Sequence, residues 1–171
     1  MKIYVTGAVG TGKTSIAAAL AATGINAVDT DELSHWENKL MGERTEWEPG
    51  GSDEWYGAHA WVCDVDRLKS ILAKTENAAA IGHASNQEEY LKLFDKVFVL
   101  SCSPETVVSR IEQRTNNDFG KHPSDMKRLL EWHKGFEAWM VEKGAEVLNT
   151  ERPLEEIVRD IRSSFDSARN P

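Results

Sequence analysis

The sequence predicts an α/β fold of three α/β/α layers around a five-stranded parallel sheet, and three observations predict it. Short β-type runs alternate with helical segments along the whole chain, which places strands under crossover helices on both faces of one sheet. A glycine-rich turn, Gly7 to Thr14, joins the first strand to the first helix. The length of 171 residues suits one domain with a sizeable core.

The elements follow in order. Lys2–Thr6 is an apolar β-type run, and Lys13–Ala22 is alanine-rich and helical up to Thr23-Gly24. Ile25–Asp29 reads as a second strand, Asp31–Leu40 as a helix, and Gly42–Ala60, with Pro49 and several glycines, as irregular. Asp66–Lys74 carries Leu68, Ile71 and Leu72 at helical spacing behind an aspartate cap. Ala78–Ile81 is a third strand and Lys96–Leu100 a fourth. Ser103-Pro104-Glu105 supplies a hydroxyl cap, a first-turn proline and an acid on the positive dipole end, so a helix runs from there to about Arg114. Thr115–Ser124 is a polar loop, Met126–Lys143 a long helix, Ala145–Leu148 a fifth strand and Leu154–Phe165 a closing helix.

Composition narrows the function. The chain is 40% hydrophobic and 28% charged, ordinary for a globular protein. No apolar run reaches the ~20 residues of a membrane helix, and the N-terminus goes straight into a strand-like run without leader zones. Cys63 and Cys102 have no metal-type spacing and read as buried thiols. A cytoplasmic protein with no membrane partner is expected. The net charge of −8 argues against a nucleic-acid scaffold, which needs clustered Lys and Arg. A monomer or homodimer is expected.

Gly7-Ala8-Val9-Gly10-Thr11-Gly12-Lys13-Thr14 fits the P-loop (Walker A) pattern at every fixed position, after a strand and before a helix. Glycines let backbone N–H groups close on an anion, and the helix start adds its dipole. The candidate nucleotide-binding set is therefore Gly7, Val9, Gly10, Thr11, Gly12, Lys13, Thr14 and Ser15. Lys13 would reach the β- and γ-phosphates and the Thr14 hydroxyl would ligate Mg2+, with ATP as the nucleotide. The chain has no NKxD-type guanine motif and too little length for a motor.

Asp29-Thr30-Asp31 falls where the second strand ends, at the sheet edge that carries the P-loop. Phosphoryl transfer to an alcohol needs metal on the γ-phosphate and a group orienting the hydroxyl. Two acids one residue apart would divide those tasks, the alternative being that Asp31 caps the helix through Leu40 and Asp29 is a strand-end solvent residue.

A P-loop followed by this D-x-D resembles shikimate kinase, gluconate kinase and the related small nucleotide kinases. Val147-Leu148-Asn149-Thr150, followed by Arg152-Pro153 and a helix, is similar to their adenine-side segment, as are Arg110 and Arg114 after the fourth strand. The resemblance implies a P-loop NTPase fold with a small acceptor-binding insertion at 36–66 and a lid loop at 115–124, all within the single domain 1–171. It implies that Asp29 holds Mg2+ through water and Asp31 binds or activates the acceptor hydroxyl. Arg110 and Pro153 would sandwich the adenine beside Arg152, and Arg114 would approach the phosphates from a lid containing Asn116, Asn117, Gly120 and Lys121. Arg110 and Arg114, one helical turn apart, would share a face. The chain departs from shikimate kinases after the third strand, where it has Gly82-His83-Ala84-Ser85-Asn86 in place of a glycine triplet and no Walker B aspartate. His83 and Asn86 are candidate acceptor contacts.

Residues 36–66 hold eight acids against two bases, a net charge of −6, which would repel an anionic acceptor. Trp36, Trp47, Trp55 and Trp61 fall in the same stretch, and indole faces stack on bases and sugars and attract cations. The expectation is an ATP-dependent phosphotransferase acting on a hydroxyl of a neutral or cationic small molecule such as a nucleoside or sugar, with Trp36 in the acceptor site. Two alternatives remain: a nucleoside monophosphate kinase using Lys39, Arg44 and Arg67 as clamps, and a non-catalytic ATP-binding regulatory protein.

Overall fold

The computed structural model describes residues 1–115 and 117–167. Its main sheet is parallel and contains β1 (Lys2–Gly7), β2 (Asn26–Asp29), β6 (Ala78–Ile81), β7 (Lys96–Ser101) and β8 (Glu146–Asn149), in the order β2-β6-β1-β7-β8. The five strands expected from sequence are all present, each within a residue or two of its expected bounds.

Side-chain alternation on β1 divides the core. Ile3 and Val5 face one layer with Ile16 and Leu20 of α1 (Lys13–Ala22) and with Ile157, Ile161 and Phe165 of α6 (Leu154–Ser167). Tyr4 faces the other, with Leu68 and Leu72 of α3 (Val65–Leu72) and Tyr90. Each fully buried side chain of this size contributes about 1.5–3 kcal/mol, so the central strand anchors both layers. α4 (Pro104–Gln113) and α5 (Pro123–Glu142) cover the β7–β8 side, where Val99 meets Phe136 and Met140.

Two sequence expectations fail between residues 31 and 63. Asp31–Leu40 is not helical: a single 3-10 turn at Thr30–Leu33 leads into β3 (Ser34–Asn38). The stretch expected to be irregular contains β4 (Arg44–Thr45), α2 (Asp53–Ala58) and β5 (His59–Cys63). β3 pairs antiparallel with both β4 and β5, making a second sheet of order β4-β3-β5. Asp29 caps the start of the 3-10 turn by accepting from Asp31 N–H at 3.0 Å, and Ser34, extended at φ −113° and ψ 157°, ends it after one turn. The pairing of β3 with β5 joins residues about 25 positions apart, and local periodicity carries no trace of it. The loop before α5 is also shorter than expected, because Pro123 starts the helix behind a His122 cap.

Candidate active site

The carboxyl ends of β1, β2 and β6 open onto one cleft of about 1050 Å³, the crevice where open α/β sheets bind ligands. The P-loop forms its floor. Gly10 and Gly12 have φ of +85° and +98°, which only glycine adopts freely. A Cβ on Gly7 would lie 2.5 Å from Thr11 Oγ1 and 2.9 Å from Leu100 Cβ. Thr11 is fully buried and its hydroxyl donates to Ala8 O at 2.7 Å, so that side chain holds the loop and is not presented to a ligand. Lys13 Nζ donates to Gly7 O at 2.9 Å and Ala8 O at 3.0 Å. Burial pushes its pKa down, with Asp31 and Asp29 acting in the opposite direction. Thr14 and Ser15 are exposed on the first turn of α1, and both line the cleft with Val9.

At the nucleotide end, Arg110 is a strut. Its guanidinium donates to Thr150 Oγ1 at 3.0 Å, to Thr150 O at 2.6 Å and to Gly10 O at 3.4 Å, tying α4 to the P-loop and the end of β8. Arg114 does not share a helical face with it, because α4 stops at Gln113 and Arg114 is extended. Both still line the cleft. The Arg114 guanidinium donates to Phe119 O, its Nε is buried without a partner, and burial lowers its pKa. Arg152 lies at the mouth, paired with Asp160 at 2.8 Å and Glu156 at 3.1 Å. Pro153 is exposed and off the cleft wall, which Leu154 and Ile157 form instead. The turn before α6 points the proline ring outward.

At the opposite end, Asp31 is on the cleft wall and Asp29 is not. Asp29 is half-buried behind it; burial raises its pKa while the bond from Asp31 N–H opposes this. The capping role thus falls to Asp29, which frees the Asp31 carboxylate. His83 packs against the rings of Trp132 at 4.5 Å and Phe136 at 5.2 Å, with Nδ1 unpartnered. Burial pushes it down to about 3, so it is a neutral imidazole. Asn86 is not an acceptor contact: its amide accepts from Cys63 N and donates to Cys63 O, both at 3.0 Å, bracing the end of β5 away from the cleft wall. Cys63 and Cys102 are free and buried.

Aromatic rings dominate this end. Trp36, Trp47 and Trp61 line the cleft as expected of the insertion, together with Tyr56, Phe119 and Trp132. Trp55 stands behind them, stacked on His59 at 4.5 Å. None of the eight acids in 36–66 lines the cleft, so the expected repulsion of anions has no structural basis. The carboxylates on the wall are Asp31 and Asp125, and Asp125 pairs with Arg128 at 3.5 Å. Lys39, Arg44 and Arg67 are also off the wall, and Lys39 donates to Gly57 O at 2.8 Å. Sequence reasoning missed Asp125, Arg128 and Trp132, although their spacing of three and four puts them on one face of α5. Of the expected lid, Asn117 and Phe119 line the cleft; Asn116 lies outside the described residues.

Hard oxygen donors suit Mg2+, which keeps several waters and binds one or two side chains plus phosphates. Thr14 and Asp31, both on the cleft wall, offer such oxygens, whereas Asp29, expected to hold the metal through water, stands behind the wall with its carboxylate on Asp31 N–H. Among the described residues no group of three or more His, Cys, Asp or Glu could hold a metal.

A family model described as an AAA domain matches residues 3–131, from β1 through the first half of α5. The chain belongs to the AAA domain family. The matched span includes the P-loop, Asp31 and the aromatic insertion, while residues 147–153 lie beyond it. A curated protein of Halobacterium salinarum named "Putative adenylate kinase" is 33% identical over 114 residues, which is 67% of this chain and 59% of that protein. The chain thus matches less than two thirds of that relative's length. Among solved structures, a deoxyadenosine kinase from M. mycoides with bound dATP superposes with a TM-score of 0.59 at 16% identity, covering 97% of this chain and all of the other. A shikimate kinase from Acinetobacter baumannii in complex with shikimate also gives 0.59 at 16% identity, covering 99% and 95%. These likenesses establish the three-layer fold with its five-stranded parallel sheet. No helix among the described residues is long and apolar enough to cross a membrane.

Proposed function

We propose that the protein transfers the γ-phosphoryl group of ATP to a hydroxyl of a small, uncharged, flat-faced acceptor such as a nucleoside or sugar. The observation that carries this reading is that Lys13 and Asp31 face one cleft whose far wall is made of aromatic rings. The P-loop N–H groups and Lys13 bind and orient the phosphates. Thr14, and Asp29 through water, would hold Mg2+, which neutralises charge on the transferred group. Asp31 orients the acceptor hydroxyl and takes its proton as the new P–O bond forms. Arg114 stabilises charge on the phosphoryl oxygens, and the lid expected at 115–124 excludes water. Arg110 and Arg152 border the adenine.

The acceptor class rests on the rings at the acceptor end, where the Arg128 guanidinium is already paired with Asp125 and Asp53. Indole faces bind flat, weakly polar surfaces, and His83, kept neutral, offers an uncharged hydrogen-bonding edge. The adenylate kinase name of the halobacterial relative supports nucleotide chemistry. Lys39, Arg44 and Arg67 stand off the cleft wall, which disfavours a monophosphate clamp built from them. The test is to titrate tryptophan emission with adenosine, glucose and AMP in the presence of a non-hydrolysable ATP analogue. Quenching by an uncharged compound supports the reading; tight binding of AMP alone overturns the acceptor class.

A further inference from the structure

The aromatic wall has almost no core of its own. Within residues 34–63 only Ala60 and Cys63 are buried, and α2 buries no residue at all. Trp47 packs on Phe119 at 5.1 Å and Tyr56 on Trp55 at 5.0 Å, but these rings are only partly buried, so no fully buried core fixes Trp47 and Tyr56 in the cleft.

A buried carboxylate from another element does it. Asp125, in the first turn of α5, is 1% exposed. One oxygen accepts from Gly50 N–H at 2.9 Å and the other from the Tyr56 hydroxyl at 3.0 Å. The Tyr56 oxygen in turn accepts from Trp47 Nε1 at 2.7 Å. Arg128, one turn along, lies 3.5 Å from Asp125, covers the Tyr56 ring at 4.1 Å, reaches Gly51 O at 3.4 Å and pairs with Asp53. The contact is close: a Cβ on Gly50 would lie 2.8 Å from the His122 ring that caps α5. A carboxylate taken out of water must have its lone pairs satisfied, and here the donors come from the insertion and from α5 itself.

We propose that Asp125 is a positioning residue for the acceptor end of the cleft, acting through Tyr56 and Trp47 to hold the aromatic wall in place. It rests on the reading of that end as the acceptor site. Because α5 follows residues 117–122 directly, the same clasp joins the wall to the end of that segment. The nucleotide end has no part in it.

Asp125→Asn turns one acceptor into an amide donor facing existing donors, and Tyr56→Phe removes only the hydroxyl between Asp125 and Trp47. Both variants are compared with the natural protein well below their unfolding temperatures, by near-ultraviolet circular dichroism and by acrylamide quenching of tryptophan. The clasp predicts that both lose a large part of the near-ultraviolet signal and quench about twofold more readily, while affinity for a non-hydrolysable ATP analogue stays within about twofold, the sites being separate. If Asp125 only stabilises the fold, Asp125→Asn lowers Tm and leaves both native-state signals unchanged; that result overturns the proposal. Should Asp125→Asn fail to fold, Tyr56→Phe decides by the same readouts. None of these measurements needs an acceptor, so failure to find phosphoryl transfer would count against the proposed function and not against the clasp.

Discussion

Trp36 of β3 stands directly opposite Trp61 of β5 in the antiparallel register, with ring centroids 5.7 Å apart. Cross-strand aromatic pairs of this kind contribute roughly 0.2–1 kcal/mol to sheet pairing, and here the pair also forms a wall of the cleft. Trp36→Leu keeps an apolar side chain but removes the stacking face. It should abolish most of the emission quenching produced by an uncharged acceptor, weaken acceptor binding about tenfold, the equivalent of ~1.4 kcal/mol, and leave affinity for an ATP analogue unchanged. Fluorescence titration with each ligand checks this.

The proposed function gives Asp29 and Asp31 separate jobs, metal and acceptor. Asp31→Asn keeps the shape of the wall but removes the proton acceptor, so transfer should fall about 10²–10⁴-fold with ATP affinity retained. Asp29→Asn should raise the Mg2+ concentration needed for half-maximal rate while sparing the rate at saturating metal. Steady-state rates against Mg2+ for both variants test the division; identical behaviour of the two would contradict it.

His83 gives the fold an acid-sensitive group. Burial holds it down to about 3 from its ordinary value of 6.5, so between those values the unfolded chain binds more protons than the folded one. Its contribution is fully present above about pH 6.5 and is lost as pH falls towards 3, reaching ~2–3 kcal/mol by about pH 4. His83→Phe should flatten the decline of Tm between pH 7 and pH 4 relative to the natural protein. A parallel decline in both would remove His83 as the cause.

Gly7 tests the tightness of the loop. Its Cβ position is blocked by Thr11 and Leu100, and overpacking at such a site costs about 1–3 kcal/mol. Gly7→Ala should lower Tm and also weaken ATP-analogue binding, since the loop must move to admit the methyl group. Thr11→Val, which removes the 2.7 Å bond to Ala8 O at similar volume, should act in the same direction. Calorimetry with and without the analogue measures both effects.

The main sheet was legible because its strands are local apolar runs set off by strong helix starts, such as Ser103-Pro104-Glu105, whose hydroxyl does cap α4 through Thr106 N–H. The P-loop was legible because its chemistry is written in adjacent residues. The second sheet was not, since β3 takes its partner from a distant stretch and Asp29, not Asp31, became the cap. Charge counting misled for a similar reason: a sequence count gives the acids of 36–66 without the direction in which they point. Asp125, Arg128 and Trp132 escaped notice although one face of α5 carries all three, because helical spacing alone does not distinguish a cleft wall from a core stripe.

The most direct measurement incubates the protein and its Lys13→Ala variant with γ-labelled ATP, Mg2+ and a small-molecule extract, and follows where the label goes. The account predicts that label enters an organic acceptor with the natural protein and not with the variant. Release of inorganic phosphate alone, or transfer that survives the loss of Lys13, would contradict it.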